Sequence, residues 1–224
     1  MKHPGDAGYA LHEAVIPAAE IQALLAQIDA LSIPRSRAGA RHVLDCPPVS
    51  MVARDARLLS IASEWLDAPA LPFKATLFDK NPASNWLVAW HQDTALPMVA
   101  QVSRQGWGPW SNKDGIQYAH APADALRHVV ALRLHLDDSD ADNGPLRVLP
   151  GTHDLGVLTD AQVHEYARCI EPRVCCVRAG GVVAMRPLII HASSKSRHSN
   201  PRRVLHIEYA ASLEVAPGMR LHAA

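Results

Sequence analysis

His91 and Asp93 are the residues of this chain whose types and spacing best suit metal chemistry, in the stretch Trp-His-Gln-Asp at 90–93. In an extended chain, side chains two positions apart project from the same face, with their Cα atoms about 7 Å apart. On a helix the same spacing would turn them about 200° away from each other. The pair therefore predicts a strand, on which an imidazole and a carboxylate converge on one ion.

A third ligand is needed, and the best candidate is His191, which ends the apolar run 182–190. Two histidines and one carboxylate on one face of an octahedral ion leave three positions open, as in non-haem Fe(II) oxygenases. We therefore predict that His91, Asp93 and His191 bind the metal and form the catalytic centre.

Rival pairs exist, because a chain with 13 histidines contains such spacings by chance. His135 and Asp137 form a second H-x-D motif, and His206 stands two residues before Glu208. Taken alone, each pair is better explained as a strand-end histidine beside a surface carboxylate. Spacing does not choose among the three pairs.

The metal-binding strand is predicted from the alternation in 85–91. Trp86 and Trp90 share one face, and we expect their rings to pack outward. Asn85 and His91 share the other face with smaller residues, which leaves room for an ion and a small molecule inside a barrel. Asn85 is then a polar, cofactor-binding contact at the far end of that face.

Four blocks in order resemble the phytanoyl-CoA dioxygenase family of Fe(II)/2-oxoglutarate oxygenases: 90–93, 143–153, 191–194 and 201–203. Four ordered blocks are more specific than one H-x-D pair. The resemblance implies a β-rich (α+β) fold, a double-stranded β-helix of the jelly-roll, cupin-like type with helices packed outside. It also selects His91, Asp93 and His191 over the rivals as iron ligands.

The same resemblance implies that Arg202, eleven residues after His191, binds the distal carboxylate of the cosubstrate 2-oxoglutarate with help from Ser193. Alternation along 202–209 places Arg202 and Arg203 on opposite faces of a strand but does not say which one points inward. The family offset selects Arg202. The implied activity is a dioxygenase that uses Fe(II), 2-oxoglutarate and O₂ to hydroxylate a small molecule and releases succinate and CO₂.

Two other classes stay open at this point. The ligand set alone does not fix the metal, so a barrel enzyme using another divalent ion for isomerisation or hydrolysis is one alternative. A non-catalytic small-molecule-binding barrel is the other. The presence of all three ligands and the arginine favours the oxygenase, and nothing in the sequence identifies the substrate.

Length and composition indicate the number of domains and the class of binding partner. The chain has 224 residues, of which 48% are hydrophobic, so we expect residues 1–224 to form a single domain. Lys+Arg and Asp+Glu both number 22, which favours a small-molecule partner over nucleic acid or a membrane surface. No apolar run is long enough for a membrane span, and no signal-peptide core is visible, so a cytoplasmic location is expected.

Apolar residues at helical spacing predict two helices, one from Ile21 to about Leu31 and one across 58–66. Thr159 with Gln162 predicts a capping box and a short helix to about residue 167. Strands are predicted at 73–78 and 129–136 from their composition and alternation. These helices are scaffold around the barrel.

The stretch 97–125 has weak periodicity and predicts a long loop. Long loops in compact domains are often functional, so we interpret it as a substrate lid with Trp107 and Trp110 as substrate-binding residues. A surface loop pinned by the two tryptophans is an interpretation of comparable weight.

Overall fold

The structure is a computed structural model that describes residues 4–31, 33–34 and 39–223. In these residues the α-helices are α1 (Ala18–Asp29), α2 (Pro47–Ala53), α3 (Ala56–Leu66), α4 (Ala123–Leu126) and α5 (Asp160–Cys169). The strands are β1 (Tyr9–His12), β2 (Gly39–Ala40), β3 (Leu71–Lys80), β4 (Val88–His91), β5 (Ala95–Met98), β6 (Trp110–Lys113), β7 (Ile116–His120), β8 (Val129–His135), β9 (Leu146–Val148), β10 (Arg173–Cys175), β11 (Val182–Met185), β12 (His191–Ser193), β13 (Arg202–Ala210), β14 (Glu214–Ala216) and β15 (Met219–Arg220). None of the described helices combines the length and hydropathy that crossing a membrane requires.

Two antiparallel sheets form the barrel. The larger sheet has the order β1-β11-β8-β13-β3-β2, and the smaller has the order β10-β9-β12-β4. Their inner faces share an apolar cluster in which Ala131 and Val183 of the larger sheet lie with Val148 and Cys175 of the smaller one. Two facing sheets with crossovers between distant strands are a double-stranded β-helix, so the predicted fold class is confirmed.

The outer face of the larger sheet carries the helices. Strand alternation turns Leu132 and Leu134 of β8 towards α1 and α3, where they join Ile21, Leu58 and Trp65 in the largest apolar cluster. Each such fully buried large side chain contributes about 1.5–3 kcal/mol. The helices predicted from apolar spacing are confirmed, although α1 ends at Asp29, before Leu31.

The segment predicted as a long loop contains the three strands of a small sheet, with the order β5-β7-β6, and a loop at 99–109 between β5 and β6. The prediction was wrong because β6 consists of Trp, Ser, Asn and Lys and so lacks the apolar alternation of a half-buried strand. Trp107 is buried with Leu96 and Leu126 in an apolar cluster behind this sheet. The small sheet brings two polar residues, Lys113 and His120, to the wall of the barrel cavity.

Candidate active site

A β-bulge sets the geometry of the metal-binding strand. His91 pairs with His191, but Val88 pairs with Ser193, so three steps along β4 lie opposite two along β12. The extra residue lets both Val88 and His91 face the cavity, which Trp86 also lines. The predicted face for Trp86 was therefore wrong, and Leu87, expected inside, is 60% exposed.

The three predicted ligands converge. Their ligand atoms all lie within 4.8 Å of one another. Asp93 stands between the histidines, with Oδ1 3.6 Å from His91 Nε2 and Oδ2 3.5 Å from His191 Nε2. The backbone N–H of Asp93 donates to Pro187 O at 2.9 Å, which anchors the residue just beyond the end of β4.

The hydrogen bonds of the imidazoles prepare them for a metal. His91 Nδ1 lies 2.8 Å from Ala89 O, and His191 Nδ1 lies 2.9 Å from Ile189 O. A carbonyl oxygen only accepts, so each Nδ1 must carry a proton and donate it. In each neutral ring the Nε2 lone pair is then free and directed at the cluster, as ligating histidines require.

The protonation states also fit a divalent cation. Burial lowers the pKa of His191 to about 4. Burial alone would raise the pKa of Asp93, but His191 and His91 outweigh it and hold that pKa well below its usual range. For His91, burial is opposed by Asp93, which raises its pKa overall. An ionised carboxylate and a neutral His191 near neutral pH are the forms that bind a metal.

The triad opens onto a cavity of about 290 Å³ inside the barrel. Arg202 forms part of the wall, is 3% exposed and donates from Nε to Asn143 O at 3.2 Å. Burial lowers the pKa of Arg202 to about 10, so the guanidinium is still charged at neutral pH. Arg203 points away from the cavity and pairs with Asp137.

Ser193 also lines the cavity, and its hydroxyl connects two elements. It donates to Gly144 O at 3.0 Å and accepts from Lys80 Nζ at 2.8 Å. Lys80 lies directly opposite Arg202 in the β3–β13 register and also contacts Ser194 O. Burial, with the charge of Arg202, lowers the pKa of Lys80 to about 7.

The sequence analysis did not assign a role at the site to Lys80, nor to the cavity residues Lys74, Lys113 and Arg133. Alternation along β3 was the available signal, since Lys74 and Lys80 share the face that points inward. Glu208 belongs to a rival pair, but its role differs, because its carboxylate pairs with Lys74 Nζ at 2.5 Å. His206 lies 3.1 Å from Arg133 through Nδ1.

Three predicted residues are not brought to the cavity. The side-chain amide of Asn85 donates to Ser196 O at 2.8 Å and accepts from Ser196 N at 2.8 Å, which connects the segment before β4 to the loop after β12. Trp107 packs in the apolar cluster behind the small sheet, and Trp110 packs against it half-buried. Ligand contacts by these residues stay predictions without support from the geometry.

The second H-x-D motif does not form a metal site. Asp137 accepts three hydrogen bonds from Arg203, from the backbone N–H at 2.8 Å, from Nε at 2.8 Å and from Nη2 at 2.9 Å. His135 is fully buried, and neither ring nitrogen has a hydrogen-bond partner within the described part of the chain. Over residues 4–31, 33–34 and 39–223, the group around Asp93 is the one cluster of three such side chains that meets metal-ligand spacing.

Comparison with known proteins identifies the family of the chain. The family model of phytanoyl-CoA dioxygenase matches residues 5–204, so the chain belongs to that family. The predicted family is thereby confirmed.

Among curated proteins, the chain is 26% identical over 180 residues to L-proline trans-4-hydroxylase of Streptomyces griseoviridis. That match covers 68% of the chain and 59% of the length of the relative.

Solved structures show the same fold. AviO1 from Streptomyces viridochromogenes Tue57 is 23% identical with a TM-score of 0.65, over 93% of this chain and 91% of that one. EctD from S. alaskensis, solved with 2-oxoglutarate and 5-hydroxyectoine, is 20% identical with a TM-score of 0.70, over 93% of this chain and 74% of that one.

Proposed function

We propose that this protein is an Fe(II)/2-oxoglutarate-dependent dioxygenase that hydroxylates a small molecule. The observation that carries the proposal is the His91, Asp93 and His191 cluster, whose free Nε2 and carboxylate atoms face a cavity that also contains a buried arginine. A three-residue ligand set leaves coordination positions for a cosubstrate and O₂.

We assign a separate role to each group of site residues. His91, Asp93 and His191 hold the metal, and the carbonyls of Ala89 and Ile189 keep the two rings oriented. When bound, Fe(II) with 2-oxoglutarate and O₂ supplies the oxidising chemistry, with succinate and CO₂ as products.

Arg202 binds the distal carboxylate of 2-oxoglutarate, because a planar guanidinium makes two parallel charge-assisted hydrogen bonds to a carboxylate. Ser193 lies beside it in the cavity wall and redirects its hydroxyl proton from Gly144 to the ligand. Lys80 supports Ser193 from behind.

The relatives support hydroxylation of a small molecule as the outcome. One is named as an L-proline hydroxylase, and another structure contains 2-oxoglutarate together with 5-hydroxyectoine. The size of the cavity agrees, since about 290 Å³ lies at the lower end of ligand pockets. The cytoplasmic location and the single-domain organisation of 1–224 stay predictions.

Anaerobic titration with Fe(II) tests the proposal. Adding 2-oxoglutarate to the Fe(II)-loaded protein should produce the visible charge-transfer band of the chelate, whereas succinate, which lacks the keto group, should not. Binding of Zn²⁺ or Mn²⁺ with no band from Fe(II) and 2-oxoglutarate would instead support a barrel enzyme with another metal.

A further inference from the structure

The cavity wall carries more positive than negative charge. Four cationic side chains line it, Lys74, Lys113, Arg133 and Arg202, but only two carboxylates, Asp93 and Glu208. Charged groups inside proteins are normally paired, because removing them from water without a partner is costly. The surplus therefore indicates that an anion completes the site.

Two of the cations already have assigned partners. Lys74 pairs with Glu208 at 2.5 Å. Under the proposed function, Arg202 binds 2-oxoglutarate. Asp93 is not available as a partner, because it belongs to the metal site. Fe(II) and 2-oxoglutarate carry opposite charges of equal size. Binding both therefore leaves the excess positive charge of the cavity wall unchanged.

Arg133 and Lys113 remain, and they lie on different sides of the cavity. In the described part of the chain, neither is within ion-pair distance of a carboxylate. Arg133 contacts His206 Nδ1 at 3.1 Å and stands over the Phe78 ring at 5.3 Å. In the β8–β13 register Arg133 lies opposite His206, on the strand that also carries Arg202.

Lys113 lies on the other side, on the small sheet at β6. Its Nζ is 4.5 Å from the centroid of the Tyr118 ring, and Lys74 Nζ is 5.6 Å from the same centroid. Burial, and then the charge of Lys74, lowers the pKa of Lys113. Two ammonium groups therefore lie near one aromatic ring, and the single carboxylate of Glu208 neutralises only one of the two charges.

Resting on the proposed function, we propose that the substrate is a small carboxylic acid, amino acids included, and that Lys113 binds its carboxylate. A neutral substrate would leave Lys113 without an anionic partner. Lys113 comes from a sheet outside the barrel, so it acts on the substrate and not on the metal.

The test uses the anaerobic Fe(II)·2-oxoglutarate complex of the full chain. Small amino and hydroxy acids, each paired with its primary amide and including L-proline with L-prolinamide, are added while the charge-transfer band is followed. A perturbation of the band reports binding beside the metal, whereas loss of the band reports displacement of 2-oxoglutarate. We expect acids to perturb the band and the matching amides to bind at least about tenfold more weakly.

Lys113→Met should weaken binding of the acid about 10- to 100-fold and leave binding of its amide within about threefold. Lys113→Arg should restore most of the affinity. Lys195→Met is the matched control, because Lys195 is exposed outside the cavity.

The outcomes separate the two proposals. If the band never forms in the unsubstituted protein, the proposed function fails. If the band forms but no acid perturbs it, if amides bind as well as acids, or if Lys113→Met binds acids normally, the carboxylate proposal is overturned while the function stands.

Discussion

The chain contains the same three-residue motif twice, in structurally similar places, with different outcomes. His91 and Asp93 stand at the end of β4, and His135 and Asp137 stand at the end of β8. In both motifs the histidine is the last residue of a strand and the carboxylate follows two positions later. Only the first carboxylate faces a second histidine, while the second faces an arginine.

The neighbours across the sheet make the difference. His191 lies directly opposite His91 in the β4–β12 register, so a second imidazole meets the Asp93 carboxylate. Opposite His135 lies Val204, next to Arg203, whose side chain makes two hydrogen bonds to Asp137. A short motif therefore offers ligand chemistry, but the residues that pair with its strand decide whether it binds a metal or stabilises the fold.

The largest expected contrast is between the two aspartates. Asp93→Ala removes a ligand, so iron affinity should fall by more than about 100-fold, beyond the loss seen when only a supporting residue is removed. Asp137→Ala should bind iron normally but unfold at lower urea, because Arg203 loses its hydrogen bonds to Asp137 and keeps the more exposed Asp29 as an acidic partner. Calorimetric iron titration and urea unfolding of both variants check this. Loss of iron binding in Asp137→Ala, with normal binding in Asp93→Ala, would reverse the assignment.

The two adjacent arginines extend the same contrast. Arg202→Ala should weaken 2-oxoglutarate binding by about 2–5 kcal/mol, because a buried charge pair is broken. Arg203→Ala should bind the cosubstrate normally and lose about 1–3 kcal/mol of unfolding free energy with its charged hydrogen bonds. Titrating 2-oxoglutarate into both Fe(II)-loaded variants measures the first effect, and urea unfolding the second. Weakened cosubstrate binding confined to Arg203→Ala would refute the assignment of Arg202.

The sequence predicts those parts of the molecule that depend on local patterns. Apolar spacing locates α1 and α3, and the capping box of Thr159 and Gln162 is present at α5. Alternation separates Arg202 from Arg203 onto opposite faces. The barrel itself follows only from the four family blocks, because no local pattern records which distant strands pair.

What the sequence does not predict depends on pairing between distant segments. The bulge in β4 exists only relative to β12, so strict alternation placed Trp86 on the wrong face. The small sheet is held by backbone pairing without apolar alternation, so its strands and Lys113 were missed. The cavity charges come from β3, β6, β8 and β13, and only the fold brings them together.

The smallest expected effect concerns His135, the histidine of the second motif, and appears in the pH dependence of stability. Burial, together with the charges of Arg133 and Arg202, lowers its pKa to about 3, whereas an unfolded histidine titrates near about 6.5. Between these values the unfolded chain binds a proton that the native chain does not. Stability from neutral His135 is therefore complete above the unfolded pKa and is lost as the pH falls towards the folded one.

At pH 5 this one group should make the unfolding free energy about 2 kcal/mol lower than at pH 7. The reason is that pH 5 lies about 1.5 pH units below the pKa of the unfolded histidine, and each unit corresponds to about 1.4 kcal/mol. His135→Leu removes the titrating group but keeps an apolar side chain in a buried place, so its loss of stability between pH 7 and pH 5 should be smaller by that amount. The other buried histidines stay in both proteins, so the difference isolates His135. Urea unfolding of the metal-free protein at the two pH values measures it, with His164→Leu, exposed on α5, as the matched control. If the His135 and His164 variants show the same pH dependence, His135 is already protonated or solvated in the native state, and the second motif is closer in character to the first than the structure indicates.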